Sequence, residues 1–520
     1  MASGINETIE TASLGRPFQL GMLYDCRTET LIPDTTLWST KTVTESRQVK
    51  SQINTESQVF VTDSNKHNVS ALKVNSSLKA SLLAGLVEVG GAAKYFNDRT
   101  KSNNQVRVTL KYYTTTRYEQ LNMTDLAKRK VSSPRVFKEG TATHVVTAVL
   151  YGAEAYCVFG REVSAEENKK DVEGELKLAL DELKYDTIKT VFSVKRNREG
   201  KSTVKNFSCI FYGDLQMSEN PFTFDEAIKV YSKLPQLLGK DGEKAVPVKA
   251  WLYPLAKLNS NAARLIRQIS DSCVQYFQRA IEKLDEVEIK CNDLLNDPVA
   301  KTLPLFKGHI QTLKEVTDQY KVFFSKQIAD ILPSIRGGQR EEEDIKDVLS
   351  QNDGSPFNPQ RINQWIKKKE TNMNTVRGFL TTLQTSEIEI MSPEKIEQER
   401  SNPNVEMVVC FTFTSLHPPE PYLLDLVITG GKVEYKTQKK ANWESLAVTG
   451  IEDTVTVSGL QPNTEYELRS TAQGKLGYTE YISPLLQNRL ACCRCSTVLI
   501  TVLDVSETCC KACNSYRKKN

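Results

Sequence analysis

The 520-residue chain has no apolar run long enough to cross a bilayer as a helix. Such a span needs about 18 apolar residues, and the two longest candidates, residues 82–87 and 145–153, are interrupted by Glu88 and Glu154. A surplus of one charge is also missing: Lys+Arg 68 against Asp+Glu 64 leaves a formal +4 with the basic residues scattered. That excludes the basic footprint of a nucleic-acid binder, and no nucleic-acid partner is expected. The N-terminus shows neither a basic n-region nor an apolar h-region, so the expectation is no signal peptide and a cytoplasmic or non-classically secreted protein. Cysteine is sparse over the first 410 residues, where Cys26, Cys157, Cys209, Cys273, Cys291 and Cys410 stand far apart in mostly apolar patterns. Buried thiols in a reducing compartment have this distribution. No phosphate loop, metal-ligand array or nucleophile elbow stands out in the ordered regions, so neither an enzyme nor a cofactor is expected.

What is present is a segment that satisfies two periods at once. From Val172 to Leu183, strand alternation puts Val172, Gly174, Leu176, Leu178 and Leu180 on one face and Asp171, Glu173, Glu175, Lys177 and Asp181 on the other. Helical spacing instead selects Val172, Leu176, Ala179, Leu180 and Leu183 as one apolar stripe. The residues alone favour an ordinary amphipathic helix, while also permitting an arm of a β-hairpin.

Composition divides the chain into five regions. Residues 1–255 are rich in Thr, Val, Ser and Tyr, with strand-like runs at 105–113, 144–150 and 206–212 and two helix-compatible inserts near 70–98 and 163–190. Residues 256–385 read as an antiparallel helical bundle of four amphipathic segments, 259–295, 303–332, 341–351 and 359–383, punctuated by Pro298, Pro304, Pro333, Gly337-Gly338 and Pro356. The acidic run Glu341 to Asp344 is expected to cap the third of these helices. Residues 386–417 hold an apolar strand, and 418–487 carry Leu460, Pro462, Thr464 and Tyr466 in the spacing of a sandwich corner, which resembles an incomplete fibronectin type III module. The tail, 488–520, concentrates six cysteines. Cys492, Cys495, Cys510 and Cys513 are weak zinc candidates; lipidation, disulfide linkage and an unselected extension are the alternatives.

The opening, Leu14-Gly-Arg-Pro-Phe-Gln-Leu-Gly-Met-Leu-Tyr-Asp-Cys-Arg27, with Leu31-Ile-Pro-Asp34 and Thr36-Leu-Trp38 behind it, resembles the stonustoxin/verrucotoxin family of fish pore-forming toxins and their non-venom relatives. The resemblance extends to about residue 417. It implies a multidomain α+β protein: a perforin-like bent antiparallel sheet with two helical clusters, then a bundle like a focal-adhesion-targeting domain, then the start of a thioredoxin-like domain. The family's PRY-SPRY domain is not seen. Thr143 and His144, with Gly152 following, occupy the place of the perforin-like Gly-Thr-His-Tyr motif, with Ala142 where the glycine belongs. His144 is read as structural.

By the same resemblance the two inserts unfurl into amphipathic hairpins, and several subunits close a barrel. Closure is required because lipid offers no partner to a free strand edge, and each crossing strand needs about 9 to 11 alternating residues. In the first insert Leu83, Val87, Val89, Ala93 and Tyr95 share an uncharged face with Gly85 and Gly91; in the second, Val172, Leu176, Leu178 and Leu180 supply the apolar face, with a return run at Ile188, Phe192 and Val194. The implied partners are a lipid membrane and a homo- or hetero-oligomer with a related subunit. The alternative is a non-lytic intracellular interaction protein of the same family.

Overall fold

A computed structural model describes residues 7–61, 65–126, 129–164, 166–189, 206–217, 219–385 and 393–402, then residues 422, 423 and 426 and six strands between 428 and 501. The chain forms two compact units, Met1–Asp293 with Lys321–Asp353, and Leu294–Tyr320 with Gly354–Asn520.

The first unit is built on an eight-stranded sheet. Its elements, in order, are β1 (Ile9–Ala12), β2 (Met22–Asp25), β3 (Thr30–Thr36), α1 (Thr40–Ser46), β4 (Arg47–Val61), α2 (Asn65–Ala71), α3 (Ser76–Ala84), a 3-10 turn (Gly91–Asn97), β5 (Gln105–Leu121), α4 (Met123–Leu126), α5 (Val136–Glu139), β6 (His144–Glu162), α6 (Lys169–Lys189), β7 (Ser208–Gly213), α7 (Phe224–Leu237) and β8 (Val246–Pro254). All pairings are antiparallel. The 19-residue β6 is the spine: β2 pairs with its first residues and β5 with the rest along one edge, while its other edge pairs with β8 in the first half and β7 in the second.

Register shifts fall at one level of neighbouring strands, between Ser51 and Asn54 in β4, Thr115 and Arg117 in β5, and Leu150 and Tyr151 in β6. Aligned bulges bend a sheet, and the expected bent architecture follows. Gly152 lies at this bend, opposite Thr115. A Cβ there would collide with the Thr114 carbonyl, which is why the position tolerates no side chain.

Side-chain alternation then assigns each face of β5 and β6 its cover. Val106, Val108, Leu110, Ala153, Ala155, Cys157 and Phe159 point into one core with α6 and α7 residues. Tyr156 and Val158 point the other way, into a core with α2, α3 and the 3-10 turn. A third core, around Phe18, Leu23, Trp38, Val145 and Leu252, fills the other half of the sheet.

The helical region contains α8 (Asp271–Asn296), α9 (Pro298–Thr302), α10 (Pro304–Arg336), α11 (Glu343–Gly354) and α12 (Pro359–Thr385). Two helix boundaries differ from expectation, and the acidic run divides between two helices. The first long helix begins at Asp271; Leu265 and Ile269 are buried but lie in non-helical chain. The second runs through Pro333 to Arg336. Of the acidic run, Glu342 serves α8: its carboxylate accepts from the Ser270 backbone N–H and hydroxyl, both at 2.7 Å. Glu343 and Asp344 do occupy the first turn of α11. In the first unit Phe277 of α8 meets Phe324 of α10 edge-on and Lys321 bonds Asp285 at 2.9 Å. In the second, Phe357 stacks on Tyr320 at 4.1 Å and Lys369 lies over Trp365 and Phe306.

Farther on are α13 (Pro393–Arg400), β9 (Ile428–Thr437), β10 (Glu444–Thr449), β11 (Thr454–Ser458), β12 (Tyr466–Gly474), β13 (Thr479–Tyr481) and β14 (Thr497–Thr501). They pair in the order β10-β9-β12-β13, with β11 and β14 as a separate two-stranded sheet. Leu460, Pro462, Cys492, Cys495, Cys510 and Cys513 lie outside the described residues, as does the expected strand after residue 404; Tyr466 is the first residue of β12.

Candidate membrane-insertion clusters

The second insert is α6, so the helical period prevails here. Val172, Leu176 and Leu180 are buried against β5 and β6 at 8 %, 0 % and 0 % exposure, and Ala179 packs beside them. Leu178 does not join them: it is 61 % exposed. A Cβ on Gly174 would meet nothing within 4 Å, so packing gives no reason for a glycine in this helix. Of the expected return run, Ile188 falls in the last turn of α6, while Phe192 and Val194 lie outside the described residues.

The first insert is α2, α3 and the 3-10 turn, without continuous alternation. Leu83 ends up half-buried in α3, and Gly85 closes that helix in the left-handed region at φ 78°, where Leu86 N–H bonds back to the Ser81 carbonyl at 2.9 Å. Val87, Ala93 and Tyr95 are buried and Val89 is half-buried. Tyr95 stacks on Tyr156 of β6, ring centroids 4.4 Å apart and nearly parallel.

Polar clamps hold this cluster to the sheet. Asp214 accepts from the Ala92 N–H of the 3-10 turn with one carboxylate oxygen and from the Glu154 N–H of β6 with the other, both at 2.8 Å. Gly91 admits that carboxylate, since a Cβ would strike it. Burial raises the Asp214 carboxyl to about 6, against the pull of those two backbone donors. Arg107 of β5 pairs with Asp98 just after the 3-10 turn, and burial lifts the Asp98 carboxyl while the arginine opposes the rise. The Asn68 side-chain amide donates to the Tyr95 and Asp98 carbonyls at 3.3 and 2.6 Å. Lys111 of β5 donates to the Ala71 carbonyl at 2.7 Å, with Glu154 at 3.5 Å; its burial lowers the ammonium pKa.

Thr143 and His144 sit where β6 begins. Thr143 N–H donates to the Tyr24 carbonyl at 2.9 Å, and its hydroxyl accepts from Cys26 N–H at 2.9 Å. His144 Nδ1 lies 3.1 Å from Cys26 Sγ. Sequence reading found no nucleophile for this histidine, because its thiol neighbour is 118 positions away. The pair is not a catalytic dyad. Burial drives the Cys26 thiol well up and the imidazole down to about 4, so both groups are neutral, whereas nucleophilic cysteine chemistry needs a thiolate. Thr143 and His144 tie the start of β6 to Cys26, next to the end of β2.

Among the described residues no group of His, Cys, Asp and Glu could hold a metal, and no helix is long and apolar enough to cross a membrane. A bent antiparallel sheet with one helical cluster on each face of its central strands defines the perforin-like class, the membrane-attack-complex/cholesterol-dependent-cytolysin fold. The family model "SNTX, MACPF/CDC-like domain" matches residues 8–272, "Stonustoxin helical domain" residues 279–374 and "Thioredoxin-like SNTX domain" residues 387–447. The chain belongs to the stonustoxin family.

Similar proteins include stonustoxin subunit alpha of Synanceia horrida, 34 % identical over 79 % of this chain and 58 % of that protein. Verrucotoxin subunit beta of Synanceia verrucosa is 33 % identical over 80 % and 60 %, and cytolytic toxin-alpha of Scorpaena plumieri 33 % over 81 % and 60 %. The chain therefore spans about three-fifths of the length of these relatives. A solved stonustoxin structure aligns at TM-score 0.59 and 28 % identity, covering 76 % of this chain and 53 % of that one. The expected fibronectin type III module finds no support, since the thioredoxin-like match runs on past residue 417 to 447. The corner motif was too short to decide the matter. Nor do relatives named as toxins support a cytoplasmic location.

Proposed function

We propose that this chain is a subunit of a pore-forming cytolytic assembly, whose two clusters unfurl into β-hairpins that close a membrane barrel with copies of itself or of a related subunit. The observation that carries this reading is Leu178. It stands exposed between buried Leu176 and buried Leu180, a placement without use to a helix and required of a strand with Leu176, Leu178 and Leu180 toward lipid. Gly174 fits the same reading, because a glycine inside a helix costs about 1 kcal/mol relative to alanine and eases unwinding. The relatives' names, with alpha and beta subunits among them, support assembly from related chains.

Purified protein should release a dye from liposomes. A disulfide engineered between the buried face of α6 and β5 should block release until it is reduced. Leakage that persists with the lock closed would overturn unfurling of the second cluster, and a monomer that binds lipid without leakage would favour the non-lytic reading.

A further inference from the structure

The clamps around Asp214, Arg107 and Lys111 come from the sheet into which the first cluster is spliced. One further contact comes from elsewhere in the chain. Arg336, the last residue of α10, is fully buried at 0 % exposure. Its guanidinium donates to the Ser77 carbonyl at 2.8 Å and to the Arg27 carbonyl at 3.0 Å. Ser77 is the second residue of α3, 259 positions away from Arg336.

Behind this contact lies a built socket. Glu29, 7 % exposed, holds one carboxylate oxygen 4.0 Å from the guanidinium and accepts there from the Ser77 hydroxyl at 3.3 Å. Its other oxygen accepts from the Tyr24 hydroxyl at 2.5 Å, and Arg16 donates to that hydroxyl at 2.7 Å and to the Glu29 carbonyl at 3.1 Å. Arg16, Tyr24 and Arg27 all lie in the opening motif, 14–27. From the other side, Ile266 N–H bonds the Arg336 carbonyl at 2.8 Å.

The socket is incomplete. Arg336 Nε has no acceptor, and the facing carboxylate is beyond hydrogen-bond distance. A guanidinium carries five donors, all of which water would satisfy. Buried, it holds α3 through one directed bond, to the Ser77 carbonyl, while its desolvation remains only partly offset. Such a contact fixes a conformation without making release expensive.

We propose that Arg336 is the catch that keeps the first cluster folded against the sheet, so that withdrawal of the α10 terminus frees α3. This rests on the reading that the cluster leaves the sheet, but its test does not need a membrane. Hydrogen exchange measured on the full soluble chain should show the amides of α3 exchanging about 10-fold or more faster in Arg336→Met, the loss of one charge-assisted hydrogen bond, with β5, β6 and α8 unchanged. Arg336→Lys, which cannot fork between two carbonyls, should fall between. Glu29→Gln removes the facing charge and keeps one of the two oxygens that accept from the Tyr24 and Ser77 hydroxyls; it should raise α3 exchange by a smaller factor, and it carries the test if Arg336→Met does not fold.

Unchanged α3 exchange in the folded variants would overturn the catch, as would a rise shared equally by the whole sheet. Liposome leakage separates the two ideas. Wild-type protein that never leaks, with α3 still selectively loosened in the variants, would sink pore formation and leave the catch standing.

Discussion

Against one face of β5 and β6 lies α6, packed on Val106, Val108, Leu110 and Phe159. Against the opposite face lies the first cluster, fastened by Arg107 to Asp98, by Lys111 to the Ala71 carbonyl and by Asp214 to Ala92. Apolar burial is non-directional and scales with area, so α6 is free to slide or fray by degrees. Directed bonds to buried charges fail one at a time, and each failure leaves a costly orphan unless water enters. Both clusters bury apolar side chains on the sheet, but the first adds directed bonds to buried charges, and different changes should release the two.

The largest effect should come from the apolar side. Leu176→Ala removes a fully buried side chain and should cost about 2–5 kcal/mol, with exchange rising over α6 and not over α3. Equal loosening of both clusters would break the contrast.

Acid should act next. His144 binds its proton only near pH 4 in the folded chain, because burial leaves Nε2 without a partner, so the unfolded chain takes up more protons between about 6.5 and 4. Stability from this group falls as pH drops through that window, by roughly 3 kcal/mol. Asp214 has the opposite sign: its folded carboxyl titrates near 6, above the ordinary 3.8, so folding takes up a proton and stability from this group rises as pH falls between those values. Thermal melts from pH 7 to 4 should therefore show His144→Gln losing less stability in acid than wild type, and Asp214→Asn losing more. Shifts in the same direction would contradict the assignment.

At neutral pH, Asp214→Asn puts an amide donor opposite one of two backbone N–H groups and should cost about 1–3 kcal/mol. Exchange should rise at Ala92 and Glu154 while α6 stays protected.

The elements of this arrangement differ in how openly the sequence states them. Period-two alternation in 105–113 marks β5 and a β-branched apolar run at 144–150 marks β6, and the helical period of 172–183 marks the buried face of α6. The opening motif identified the family before its role was visible: Arg16, Tyr24, Cys26 and Arg27 build the junction among β2, β6 and the first cluster. What stayed hidden are pairings across long stretches of chain, Cys26 with His144 and Arg336 with Ser77, which no local period encodes. Asp214 was missed for a related reason: its partners are backbone amides, which leave no trace in side-chain identity. The fibronectin reading failed where a few residues of turn chemistry stood in for a whole domain.

Leu178 is the residue at which helix and hairpin make opposite demands, because α6 leaves it exposed. Leu178→Lys on the exposed face of α6 should leave the melting temperature unmoved, within about 0.5 kcal/mol. In a barrel it would place a charge toward lipid at a cost of about 2–4 kcal/mol per subunit near the bilayer midplane. The variant should be as stable as wild type in solution and no longer release dye from liposomes; undiminished release would mean that Leu178 does not face lipid and that α6 does not unfurl as proposed.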